Sequence, residues 1–293
     1  MKYEIRERYG KYAIFDKNGN QISPEWFDLV FSSGLLKGQS DYYFAEKGNK
    51  YAIFHKDGKQ ITPEWFDNIL EDGLVKGESD YYIAGKDGKY AIFGKDGKRI
   101  SDWFDEIKPD GLVKGQSNYY LAKKNGKWAI FDVNGNRITD WYDDVSLEGL
   151  VRGESKYYIA KKDGEYAIFN INGKMITKEW FRNIYSDGLV REQSKYYLAY
   201  KDWKWAIFDV NGNQITKWFD RIYSDGLVMG QSNLYIARRD GQEAIFDING
   251  NRISDWFNWI SSYGLVNGKS NIYIVEENEK YAIFNGNGNR ISV

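Results

Sequence analysis

The chain has 293 residues, with 41 basic and 42 acidic side chains, no cysteine and one histidine. A net charge of −1 leaves no positive field for nonspecific nucleic-acid binding, and the lack of Cys excludes disulfides and thiolate metal sites. No apolar run approaches bilayer-spanning length, and the charged start Met1-Lys2-Tyr3-Glu4 has no apolar signal segment, so membrane insertion is not expected and a cytoplasmic location stands by default.

A first strand is predicted at Tyr3-Glu4-Ile5. The tripeptide Ala-Ile-Phe then recurs at Ala13, Ala52, Ala91, Ala129, Ala167, Ala206, Ala244 and Ala282, at intervals of 38 or 39 residues. A fixed period of that size marks a tandem array of small modules. Their boundaries fall near 1–39, 40–78, 79–116, 117–154, 155–193, 194–231, 232–269 and a partial 270–293, within one repeat domain, 1–293. In residues 119–151, Tyr119-Tyr120-Leu121-Ala122 reads as a strand and Lys123-Lys124-Asn125-Gly126-Lys127 as a hairpin loop. Trp128-Ala129-Ile130-Phe131 is a second strand, and Asn134-Gly135 a turn. Arg137-Ile138-Thr139 reads as a short third strand and Trp141 to Val145 as a fourth extended segment. The short connections require antiparallel neighbours, so each module is a β-meander.

Both faces of these strands are apolar: Trp128 and Ile130 oppose Ala129 and Phe131. Such a sheet is unstable alone, so the modules should stack face to face. Seven Trp recur at one position (Trp26, Trp65, Trp103, Trp141, Trp180, Trp218, Trp256), each followed by Phe or Tyr. They are expected to be core rivets between modules; the alternative, a row of sugar-stacking platforms, requires exposure. The fold class is all-β. It is either an open, curved β-solenoid of stacked meanders or a closed seven- or eight-bladed β-propeller. Glu4 and Arg6 replace the Tyr and small residue of interior first strands, as a capping module would; this favours the open stack. Tyr273 and Val275 of the last module keep the interior pattern.

The segment Gly126-Lys127-Trp128-Ala129-Ile130-Phe131-Asp132-Val133-Asn134-Gly135, with Pro24, Phe27-Asp28 and Gly34-Leu35 after Gly19, resembles the bacterial WG-repeat (KWG-type) family. The resemblance covers nearly the whole chain. Ala replaces the family's second-position Gly in all eight copies, and Trp precedes it only at Trp128 and Trp205, which marks a divergent branch. The resemblance implies a repeat scaffold and supplies no catalytic residues.

Catalysis needs a convergent cluster of non-repeated groups, and none is evident, so no enzyme activity and no cofactor are expected. His55 lies at a turn position held elsewhere by Asp16 or Asn170 and reads as a surface residue. Turns such as Asp132 to Asn136 suggest calcium, but lack a distal Glu and fit hairpin chemistry, so no metal site is expected. Departures from the module are more informative. Trp203 stands where the hairpin loop has Gly126 or Gly164, with Tyr200 and Trp205 close by. Trp259 holds a position occupied elsewhere by Asn68 or Glu106, and Met229 one occupied by Lys114 or Arg152. Trp203, Tyr200, Trp259 and Met229 are therefore the candidate binding residues. The expected function is a non-enzymatic scaffold binding a protein through a concave face or loop tips. A lectin-like glycan-binding module and an enzyme at a ring centre are the alternatives.

Overall fold

In the computed structural model, which describes residues 2–292, the chain is all-β. Eight small antiparallel sheets follow one another among the described residues, with one 3-10 turn at Gly34–Lys37. Met1 and Val293, which the expected module boundaries include, lie outside them.

Each sheet is centred on a hairpin of two six-residue strands, such as Tyr119–Lys124 and Lys127–Asp132. Tyr120 faces Phe131, Leu121 faces Ile130 and Ala122 faces Ala129. The same register recurs as Tyr82–Phe93, Ile83–Ile92 and Ala84–Ala91. The two-residue turn between the strands has positive φ at both positions, 53° at Asn125 and 78° at Gly126. That is the hairpin geometry whose twist matches the strands.

Two expectations are corrected. Arg137-Ile138-Thr139 forms no strand; only Arg137 pairs, through a lone bridge to Phe131. The reason is local. The Thr139 hydroxyl accepts the Ile130 amide at 3.1 Å, so a side chain occupies the place of a ladder carbonyl. Only in the last module does this segment become a strand, Arg290–Ser292. The Trp-aromatic segment is not one strand of its own sheet either. Phe104 bridges to Tyr90 of its own module, whereas Glu106–Ile107 pairs with Lys123 and Ala122 of the next. Each three-stranded sheet thus borrows a short strand from the preceding module, and this couples the modules by backbone hydrogen bonds.

Packing follows from side-chain alternation. The Ile83 and Ile92 face of one hairpin packs on the Tyr120, Ala122, Ala129 and Phe131 face of the next. Leu198 and Ile207 meet Tyr235, Ala237, Ala244 and Phe246 in the same way. Ala faces Ala in the six interior hairpins, where both are fully buried; Val275 faces Ala282 in the last and Arg6 faces Ala13 in the first. A seam of side chain–backbone bonds runs alongside. The Ser79 hydroxyl donates to the Val113 carbonyl at 2.6 Å, and Ser194 to Val228 at 2.6 Å. Gly73, at φ 86°, lies beneath this seam. A Cβ there would sit 2.2 Å from the Tyr81 carbonyl oxygen, so no other residue fits. In the first sheet Glu4 and Arg6 are exposed and hydrogen-bonded to each other.

The modules group into two compact units. The first runs to Tyr142 and includes Val151–Gly153; the second holds Asp143–Leu150 and the chain from Glu154 onward.

Candidate binding clefts and loop tips

The equivalent Trp pack against the core from its edge, not from within it; Trp65, for instance, meets Phe27 and Phe54 of consecutive modules. Each is half-buried, and the following aromatic takes the core position: Phe27, Phe66, Phe104, Tyr142, Phe181, Phe219 and Phe257 are buried. Strand alternation explains the exchange. The Phe104 backbone is tied to Tyr90 in both directions, at 2.8 and 2.9 Å. This turns the Phe104 ring inward and leaves Trp103 at the edge, against Phe93 at 6.1 Å.

Set there, the Trp rings wall a series of surface clefts. One, of about 600 Å³, is lined by Glu64, Lys86, Phe93, Arg99 and Trp103. Another, of about 750 Å³, includes Lys124, Phe131, Arg137 and Trp141. A third, of about 380 Å³ and in the second unit, includes Lys217, Trp218, Tyr235, Arg239, Arg252 and Trp256. Guanidinium groups lie over the indoles: Arg99 over Trp103 at 5.7 Å, Arg137 over Trp141 at 5.7 Å. The residue before each Trp is an acid in six of its seven copies, as the sequence shows. Three of them, Glu25, Glu64 and Glu179, form ion pairs with Lys47, Lys86 and Lys201, each 22 residues on.

Behind each cleft stands a buried tyrosine. Tyr82 stacks on Phe93 at 5.4 Å, and Tyr120 on Phe131 at 5.3 Å. The hydroxyls of Tyr43, Tyr82, Tyr120 and Tyr197 are enclosed, with no hydrogen-bond partner among the described residues. Burial pushes these phenols well above the ordinary tyrosine range, with the charge of a nearby carboxylate adding to it. Tyr235 is pushed up to about 12 by the same causes.

The acids that suggest metal ligands are occupied by their own turns. Asp132 Oδ1 accepts the amides of Asn134 and Asn136 at 2.9 and 2.8 Å, and Oδ2 accepts the Asn136 side-chain amide. His55 is half-buried, with Nδ1 3.0 Å from Asp57 and its ring 5.3 Å from Tyr42. The recurrent Asp after the Trp-aromatic pair is a clamp. Asp105 Oδ2 accepts the Asn125 amide at 2.7 Å and so holds the next hairpin turn; Asp67, Asp143 and Asp220 do the same for Asp87, Asp163 and Asp240.

Two modules lack the clamp, where Arg182 and Asn258 stand in its place, and the turns 20 residues later are the irregular ones. Trp203 occupies the second turn position at φ 64° and Glu279 its counterpart at φ 63°, a region that disfavours both residue types. Trp203 is 81% exposed. Beside it, Trp205 stacks on Tyr185 at 4.8 Å and 9°, and lies 4.8 Å from Tyr200. Tyr200 is half-buried. Trp259 is 41% exposed and meets Tyr281 edge-on at 6.4 Å. Met229 is half-buried in the turn after Val228, its amide bonded to the Ser224 carbonyl. Tyr200 thus belongs to an aromatic group with Tyr185 and Trp205, close to Trp203 in sequence. Among the described residues no ring contact joins Trp259 to that group.

Sequence reading missed two features. Glu243 replaces the strand aromatic and is buried, accepting bonds from the Tyr223 hydroxyl and the Ile260 amide. The cleft at Trp218 and Trp256 was also missed; its signal, a change of charge sign at paired repeat positions, is present in the sequence. Among the described residues no helix is long and apolar enough to cross a membrane.

The fold and site define an all-β repeat protein with Trp-walled clefts and, among the described residues, aromatic side chains at two hairpin tips, Tyr9 and Trp203. No family model and no curated protein matches the chain. Similar solved structures include one described as the eukaryotic initiation factor, at 12% identity over 99% of this chain and 84% of that one, with a TM-score of 0.40. A Kluyveromyces lactis Hsv2 with loop 6CD replaced by a Gly-Ser linker matches at 12% identity, 99% and 95% coverage, and TM-score 0.33. BamB from Moraxella catarrhalis matches at 10%, 97% and 91%, and 0.31. Likeness at this level carries neither fold nor function across.

Proposed function

We propose that the chain is a non-enzymatic repeat scaffold, a divergent member of the WG-repeat type, that binds a protein partner through the aromatic tip of its second unit. One observation carries the reading. Trp203 is 81% exposed in a left-handed turn position where five of its seven counterparts are Gly. Exposure forgoes its burial energy, and the backbone conformation adds about 1–2 kcal/mol of strain. Neither serves folding, and a large rigid aromatic at a tip suits recognition. Two residues along the chain, Trp205 is held in a stack on Tyr185.

The test is affinity capture from cells of the source organism with the full chain and a Trp203→Gly, Trp259→Asn double variant. Both replacements are residues the repeat uses at those positions. Wild type should retain a partner that the variant loses, at equal circular dichroism. Retention of the same partner by both would remove the site.

A further inference from the structure

The charge pattern singles out one cleft. Along the repeat, the residue before each Trp and the residue 22 positions later form a pair: Glu25–Lys47, Glu64–Lys86, Asp102–Lys124, Asp140–Lys162 and Glu179–Lys201 are all acid with base. In the sixth the acid is gone, and Lys217 is matched with Arg239; the seventh, Asp255 with Glu277, is acid with acid, so only the sixth is doubly basic. Both line the cleft of about 380 Å³ walled by Trp218 and Trp256. A third cation, Arg252, lines it too. Arg239 and Arg252 both lie over Trp256, at 5.0 and 6.0 Å. Their carboxylate neighbours, Asp240 and Asp255, stand 3.7 Å away and are 92% and 86% exposed. Lys217 has no ion-pair partner among the described residues.

The opposite wall and the floor differ in character. Trp218 contacts Phe208 at 5.9 Å and, unlike Trp256, has no cation over its ring among the described residues. Tyr235 at the floor is 1% exposed and lines the cleft. Asn249 adds a carboxamide at the rim.

We propose that this cleft binds a uronic-acid residue of an acidic polysaccharide. The free indole of Trp218 takes the apolar face of the pyranose ring. The carboxylate lies between Lys217 and Arg239, the guanidinium offering paired donors to it. The Tyr235 hydroxyl and Asn249 meet ring hydroxyls. The matching cleft at Trp103 is closed to this ligand because Glu64 already neutralises Lys86. The site goes beyond the scaffold reading and does not involve Trp203.

The test is isothermal titration calorimetry of the full chain with tetragalacturonate, with a neutral glucose tetrasaccharide, sodium acetate and inorganic phosphate as separate arms. Tetragalacturonate should bind saturably and weaken several-fold as salt rises from 50 to 200 mM, values set by the screening of exposed charges (about 10 Å at 0.1 M). The other three should bind at least about tenfold more weakly, the factor that a loss of about 1.4 kcal/mol represents. Lys217→Glu restores the acid–base pair of the first five modules and should abolish binding while melting temperature holds or rises. Arg252→Gln, the residue at Gln21, Gln60 and Gln214, is a second variant compatible with the fold and should weaken binding. No heat with tetragalacturonate, equal binding of the neutral sugar, equal binding of acetate or phosphate, or unchanged affinity in both variants would each overturn the proposal. The Trp203→Gly variant should bind tetragalacturonate normally, which separates failure of this site from failure of the protein-binding tip.

Discussion

The hairpins tipped by Asn125–Gly126 and by Asp202–Trp203 are carried by strands in the same register, with Ala122 opposite Ala129 in one and Ala199 opposite Ala206 in the other. Their interiors are interchangeable; their tips are not. The first tip is tied down by Asp105 and uses glycine at its second position. The second has Arg182 in place of the clamp and Trp203 in place of glycine. The contrast teaches where the module tolerates change. Rungs such as Tyr120–Phe131 are buried between sheets and recur as Tyr opposite Phe in every hairpin but the first, where Glu4 faces Phe15. Tips and clefts touch solvent, so they carry whatever distinguishes one module from the next.

The largest test of that division is alkaline pH. The buried phenols have raised pKa values, Tyr235 about 12 and Tyr43, Tyr82, Tyr120 and Tyr197 higher in direction still. The folded state therefore holds these protons while the unfolded chain releases them near pH 10. Stability is fully present below pH 10 and falls as pH rises toward the folded-state values, by about 1.4 kcal/mol per unit for each phenol. Several act together, so unfolding should set in cooperatively between about pH 10 and 12, with the 295 nm tyrosinate signal rising in step with loss of sheet. Tyrosinate appearing gradually on a folded chain would break the claim that the rungs are sealed. The acid limb should be shallower. Asp28, Asp67 and Asp105 are held below the usual carboxylate range, first by lysine hydrogen bonds and then by hairpin amides. Their contribution is present above about pH 4 and lost as pH falls through the folded values. They lie at the surface, where such pairs contribute little.

Next in size is a single rung. Phe131 is 6% exposed and contacts Phe104, Tyr120 and Trp141 at 5.0, 5.3 and 5.9 Å. Phe131→Ala should destabilise by about 3–5 kcal/mol in urea unfolding. Trp103→Ala at the neighbouring cleft should cost clearly less, because its ring is only half-buried. Equal losses would restore the core-rivet role for the Trp column.

The period, hairpins and face-to-face packing were legible in the sequence because they rest on rules of spacing: Ala-Ile-Phe every 38 or 39 residues, two-fold alternation, and Asn-Gly at turns. The Trp-Phe pair was misassigned because two adjacent aromatics compete for one inward position. Hydrophobicity alone does not rank them; the Phe104 bridge to Tyr90 does. The third strand was overcalled because Thr139 uses its side chain where a strand would use its backbone. The outward placement of Trp203 was readable from the missing glycine. The cleft at Lys217 was not found, since its signal lies in two positions 22 residues apart whose nearness only the pairing of neighbouring modules reveals.

The smallest predicted effect is also the one that most directly separates folding from function. At Trp203 the backbone φ of 64° costs an L-residue about 1–2 kcal/mol, while glycine adopts it freely. Glycine also gains entropy in the unfolded chain, which gives back about 0.5–1 kcal/mol. Trp203 loses little packing on removal, being 81% exposed. The balance predicts that Trp203→Gly stabilises the chain by about 0.5–1 kcal/mol, read as a rise in urea midpoint at constant slope. Asp202, at φ 48°, is a residue type that tolerates this conformation, so the turn keeps its geometry. Adding Arg182→Asp should restore the clamp on the Asp202 amide and slow its hydrogen exchange without altering the rungs. A stabilised variant that no longer holds its partner would show that this module gave up folding energy at its tip for recognition. A destabilised Trp203→Gly would instead assign the ring a packing role on the Tyr185–Trp205 stack.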